Sequence, residues 1–149
     1  MSRISLVLLS ALFAVRLLAA AEGKVVKVLP HLLDKAGRHS LSPSLFERDA
    51  YQAELRKHPE RVGGIRYDIH WKVRGAAATK LRLRLQLRTS ERAGVAPIVL
   101  ETPVSAKSGG WTGLSLDAET YRKAGNVQAW RATLLDGDTE IAEQRSFLW

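Results

Sequence analysis

Four histidines, a cluster of serines and two strings of alternating basic residues are the groups in this chain best equipped for chemistry. His31, His39, His58 and His70 are separated by eight, nineteen and twelve positions. A zinc site is ordinarily announced by a tight pair three or four residues apart with a third ligand elsewhere, so this spacing names no metal. Ser40, Ser42 and Ser44 follow His39, but a serine nucleophile needs a base held by a third group, and no Gly-x-Ser-x-Gly elbow is present. Those serines suit turns and helix caps instead. Glu47 and Asp49 lie two apart on an expected helix and do not share a face as paired carboxylates must. Gly63-Gly64 and Gly109-Gly110 lack the Gly-Lys-Ser/Thr that completes a phosphate loop. The chain has no cysteine, which excludes thiolate catalysis, cysteine-ligated metal and disulfides. No catalytic, cofactor-binding or metal-ligating residue is assigned, and the expected role is non-catalytic binding.

Charge is the one feature able to form a site. Arg66, His70, Lys72 and Arg74 alternate along one segment, and Lys80, Arg82, Arg84 and Arg88 along the next, opposed within them by Asp68 alone. If residues 75–79 close a simple hairpin, both sets share one face with strands about 4.8 Å apart. Like charges would then oppose one another, and a bound polyanion would relieve the repulsion. If the two strands enter opposite sheets, the patch divides between two faces. Glu101, Glu140 and Glu143 on neighbouring strands stand ready to neutralise a solvated basic face.

The elements that carry these residues follow from periodicity. Ile65, Tyr67, Ile69, Trp71 and Val73 alternate with the first basic set, and Leu81, Leu83, Leu85 and Leu87 with the second, each predicting a half-buried strand. By this register Arg82 and Arg84 point at solvent. Further strands are predicted at Lys24 to Leu29, Pro97 to Thr102, Trp111 to Leu116, Val127 to Leu135 and Thr139 to Leu148. The last two are joined by the hairpin signal Asp136-Gly137-Asp138. A polar turn is read at Asp34 to Arg38. One helix is predicted near 43–57: Ser42 before Pro43 suits an N-cap, Ser44 with Glu47 suits a capping box, and Pro59 stops it. Phe46, Ala50 and Ala53 mark its expected apolar face. The fold class is therefore mostly β, an antiparallel sandwich of about seven strands with one N-terminal helix after the first strand.

From about residue 65 to the end, with Trp71 or Trp130 as the core tryptophan and Leu134 to Asp138 as the closing hairpin, the chain resembles immunoglobulin-like and fibronectin type III-like sandwiches of exported bacterial proteins. It departs from antibody-type domains in lacking the cysteine pair, and Tyr121 does not sit at the spacing of a tyrosine corner. Ser42 to Tyr51 also looks like a block from such exported proteins. The resemblance implies architecture and no activity.

Residues 1–21 read as a signal peptide: a basic start at Arg3, an apolar run from Ile4 to Val15 too short to span a bilayer, and Ala19-Ala20-Ala21 before Glu22. Its removal leaves residues 22–149, one domain's worth, with 21 basic against 15 acidic groups. The terminal Phe147 and Trp149 resemble the last-strand signal of outer-membrane barrels, but Glu143 and Arg145 stand where that pattern wants apolar residues, so the two aromatics are expected to finish the core. The reading is an exported module, periplasmic or secreted, without a transmembrane span. Another envelope or extracellular protein is its first expected partner and an anionic polymer the alternative.

Overall fold

The computed structural model describes residues 21–75, 80–105 and 108–149. The expected signal segment lies outside the described residues except for Ala21, as do residues 76–79 of the turn after the first basic strand. Seven strands and two helices follow in the order β1 (Glu22–Asp34), α1 (Leu45–Lys57), β2 (Val62–Arg74), β3 (Leu81–Thr89), β4 (Ile98–Pro103), β5 (Gly109–Asp117), α2 (Ala118–Ala124), β6 (Val127–Asp136) and β7 (Thr139–Arg145). They form two antiparallel sheets, β1-β2-β5 and β4-β3-β6-β7. Among the described residues no helix is long and apolar enough to cross a membrane.

β2 and β3 do not pair with each other; each is an interior strand of its own sheet. Both carry a complete apolar face, and placing them in opposite sheets lets each face bury the other. Ile65, Tyr67, Ile69, Trp71 and Val73 from β2 and Leu81, Leu83, Leu85 and Leu87 from β3 belong to one buried cluster with Val25, Val28, Leu114, Leu116, Ala132 and Leu134. Each fully buried leucine or isoleucine there contributes about 1.5–3 kcal/mol from water exclusion. Trp71 also satisfies its one polar atom, Nε1 donating to Thr112 Oγ1 at 2.9 Å. Trp130 only borders this core.

Several local expectations give way to tertiary context. β1 does not end at Leu29-Pro30 but continues to Asp34, with Pro30 opposite Tyr67. Because β1 is an edge strand, the missing proline N–H costs the ladder nothing. Helix α1 is capped by Ser44, whose Oγ accepts from Glu47 N–H, while the Ser44 N–H is taken by the Ser42 hydroxyl. Its buried residues are Tyr51, Gln52 and Leu55, and Phe46 is 83% exposed. The face anticipated from Phe46, Ala50 and Ala53 is thus rotated, because α1 docks on the end of β1 through a polar anchor. Gln52 Oε1 accepts from Leu32 N–H at 2.8 Å and Nε2 donates to the Leu32 and His39 carbonyls at 2.9 and 2.8 Å. α2 was not expected, although Asp117 as N-cap to Thr120 and Gly125 at φ +76° are ordinary helix boundaries. Phe147 is fully exposed and Trp149 lies under Arg88, so the terminal aromatics do not complete the core.

Asp34 closes the turn after β1. Its Oδ1 accepts from the N–H groups of Ala36 and Arg38, and its Oδ2 from Arg38 Nε and the Tyr51 hydroxyl at 2.7 Å. Burial alone would push this carboxyl up, but the bonds from Tyr51, Arg38 and Ala36 outweigh it and bring its pKa down from 3.8 to about 2. Since the folded-state value is depressed, the stabilisation is complete above about pH 4 and is lost as the pH falls toward about 2. Asp34→Asn is expected to cost about 1–3 kcal/mol at neutral pH and to flatten the acid limb of a denaturation series. Trp71→Ala is expected to cost about 3–5 kcal/mol in the same urea experiment, and a loss below about 1 would contradict its inward register.

Candidate functional site: a cationic and aromatic sheet face

Across an antiparallel ladder, directly paired residues project to the same side. The outer face of β1-β2-β5 therefore includes the short rows Glu22 and Arg74; Lys24, Lys72 and Gly109; Lys27, His70 and Trp111; Leu29, Asp68 and Gly113; His31, Arg66 and Ser115; and Leu33, Gly64 and Asp117. Trp111 is 55% exposed and stacks on His70 with ring centroids 4.9 Å apart and planes inclined by 11°. On its own strand the same-face neighbours are Gly109 and Gly113, so nothing from β5 covers the flanks of the indole. Gly109 has φ +138°, and a Cβ there would collide with the Trp71 carbonyl oxygen. A Cβ on Gly113 would meet Asp68 Oδ1 at 3.3 Å and Arg66 Cδ at 3.5 Å.

Lys24, Lys27 and Lys72 are exposed around this ring pair, and among the described residues none of them forms an ion pair with a carboxylate. Arg66 differs. Its Nε lies 3.0 Å from Asp68 Oδ1, its Nη2 donates to Asp68 Oδ2 at 3.0 Å, and Nη2 stands 3.3 Å from His39 Nδ1. His31 is buried beside them, its Nε2 3.5 Å from Asp68 Oδ2 and its ring centroid 4.8 Å from that of His39. Burial lowers the His31 pKa below its usual value, helped by the neighbouring His39 ring and the positive charge of Arg66 and Arg48 and opposed by Asp68. His31 is thus held toward its neutral form, a packed member of the face. His58 is elsewhere, between Glu54 and Glu60 at the end of α1. Among the described residues no three acidic or imidazole groups are arranged to hold a metal.

The second basic set lies on the outer face of the other sheet. Arg82 and Arg84 both grip Glu101, at 2.6 and 2.8 Å, and Arg82 reaches Asp138 at 3.1 Å. Arg131, on β6, binds Glu140 and Glu143 at 2.7 and 2.6 Å. Glu101 is held below the usual carboxylate range, first by the Arg84 hydrogen bond and then, against the effect of burial, by the charge of Arg82. Thr133 and Leu135, which stand on this outer side opposite Arg84 and Arg82, are nevertheless buried among these stems and carboxylates. Arg88 covers Trp149, its guanidinium carbon 4.2 Å from the ring centroid, and Lys80 N–H donates to Asp136 Oδ1 at the strand start.

The eight basic residues are therefore divided. Arg66, His70, Lys72 and Arg74 occupy one sheet and Arg82, Arg84 and Arg88 the other, with Lys80 just before the first residue of β3. Sequence reasoning missed Trp111, Lys24 and Lys27 as companions of the first set. The signal was available in Gly109-Gly110-Trp111-Thr112-Gly113, an aromatic at the head of a predicted strand with a glycine two positions to either side, but its ladder partners follow only from the strand order. Arg82 and Arg84 point outward and are neutralised by Glu101 in an ion-pair network, in keeping with the expected pairing, but they are only about one-third exposed rather than freely solvated.

That network gives the double variant Arg82→Glu/Arg84→Glu a cost. Reversal places two new carboxylates beside Glu101 and uncovers Thr133 and Leu135. A loss of about 1–3 kcal/mol is expected in chemical denaturation, and a change within about 0.5 kcal/mol would show the network to be inert.

Comparison with known proteins finds no matching family model, no matching curated protein and no matching solved structure.

Proposed function

We propose that this chain is an exported, non-catalytic binding module whose outer β1-β2-β5 face holds an acidic polysaccharide. The observation that carries the reading is Trp111, half exposed, stacked on one face by His70, flanked on its own strand by Gly109 and Gly113, and accompanied by Lys24, Lys27 and Lys72, which form no ion pair among the described residues. A half-exposed flat apolar ring accepts the C–H face of a sugar, and lysines spaced along adjacent strands meet carboxylate or sulfate groups as point charges. A single-stranded nucleic acid would ask for successive aromatic platforms along a basic groove, and this face offers one. The partition of strands into β1-β2-β5 and β4-β3-β6-β7 supports the immunoglobulin-like or fibronectin type III-like assignment, a frame whose faces and edges serve recognition.

A protein partner is the second reading, favoured by Leu41, Leu45 and Phe46, which are exposed together at the start of α1. The two readings separate in one set of measurements on the chain from Glu22 onward. Retention on heparin and on alginate is expected to fall steeply with salt. It is also expected to drop about tenfold or more in Trp111→Ala and in Lys27→Glu/Lys72→Glu, while thermal melting stays in place. Retention unchanged in both variants would end the polysaccharide reading, and tighter binding to single-stranded DNA would reassign the face to nucleic acid. Salt-insensitive capture of one partner, abolished by Phe46→Ser, would favour the protein reading.

A further inference from the structure

A second recess, unrelated to the sheet face, opens where α1, α2 and the start of β6 meet the end of the sandwich. It has a volume of about 500 Å³. That is ample for a small ligand, since such sites commonly run from about 300 to 1,000 Å³. Its accessible apolar surface comes from Pro30, Leu32, Pro59, Tyr121 and Val127, above a floor of the buried Leu55, Val62 and Ile65. Most of the polar side-chain groups that border it are engaged. The Gln52 amide is bound to Leu32 and His39, and the Tyr121 hydroxyl lies 3.3 Å from Asn126 Oδ1.

Arg56 is the exception. It is the one charged residue lining the recess, sits exposed in the last turn of α1, and among the described residues has no ion-pair partner. Its neighbours His58 and Arg61 are both held by Glu54, and His58 by Glu60 as well. An apolar patch bordered by a guanidinium without an ion-pair partner among the described residues complements a molecule with an aliphatic body and a single planar anion. The guanidinium fork matches a carboxylate with two parallel N–H bonds, and an isolated fork serves one carboxylate better than a multiply charged headgroup. We infer that this recess binds a free medium-chain aliphatic carboxylate, the chain against Pro30, Leu32, Tyr121 and Val127 and the head on Arg56.

The test titrates decanoate, decan-1-ol and decyltrimethylammonium, each below its micelle-forming concentration, into the chain from Glu22 onward and follows the methyl NMR signals. Saturable one-site binding of decanoate is expected, with shifts centred on Leu32 and Val127. The alcohol should bind about tenfold more weakly, and the cation more weakly still. Arg56→Gln, at an exposed position, should bring decanoate down to the level of the alcohol without moving the melting temperature or the affinity for the alcohol. Val127→Trp, which fills the recess, should abolish both; if that variant fails to fold, the comparison of acid and alcohol in Arg56→Gln decides alone. The inference is overturned by absence of saturable binding, by equal affinity for acid and alcohol in the parent chain, or by indifference to Arg56→Gln. It is equally overturned if binding is removed by Lys27→Glu/Lys72→Glu, which would place the ligand on the sheet face.

Discussion

The rest of the structure depends on one burial constraint: β2 and β3 each carry an unbroken apolar face, and the two faces are buried against each other across the core. Once that is done, the charged positions between the apolar ones have nowhere to go but outward, in opposite directions. Two strands with nearly the same alternating pattern thereby generate two surfaces, and what differs between the surfaces is what the neighbouring strands supply. β4 and β7 bring Glu101, Glu140 and Glu143 to the arginines of β3 and β6. β1 and β5 bring more lysine, an indole and glycines to β2.

This difference in neighbours separates a self-satisfied surface from one with unmet capacity. Arginines paired at 2.6 to 2.8 Å with carboxylates have already spent their fork geometry inside the molecule, and they cover Thr133 and Leu135 besides. Lysines beside an open indole have not. The same residue type count in the sequence therefore corresponds to a structural role on one sheet and to a recognition role, as proposed, on the other.

How much was legible in the sequence follows the range of the interactions. The two-sheet antiparallel class, the alternating registers of β2 and β3, the Ser44 cap of α1 and the Asp136-Gly137-Asp138 hairpin are all encoded within a few residues and stand as read, whereas Ser42 ahead of Pro43 is not the N-cap and α1 starts at Leu45. Features settled by distant partners were not legible. Nothing near Gln52 in sequence says that its amide reaches Leu32, 20 positions away, and it is this reach that turns α1 away from the face suggested by Phe46, Ala50 and Ala53. Likewise Trp71 meets Thr112 across 41 positions, and Trp111 meets His70 across the same ladder. The site residues on β2 could be named, but their separation from the β3 set and their companionship with Trp111 required the strand order.

The Gln52 amide has one more consequence. It presents to Leu32 one acceptor and one donor, which is what an adjoining strand would present, so a side chain stands in for a missing neighbour at the margin of β1. An open margin of this kind is where extended chains of other molecules add on and where cross-β assembly begins. By occupying that pair of backbone groups, and with Pro30 already withholding an N–H two residues earlier, the chain guards the second half of β1 against templated growth.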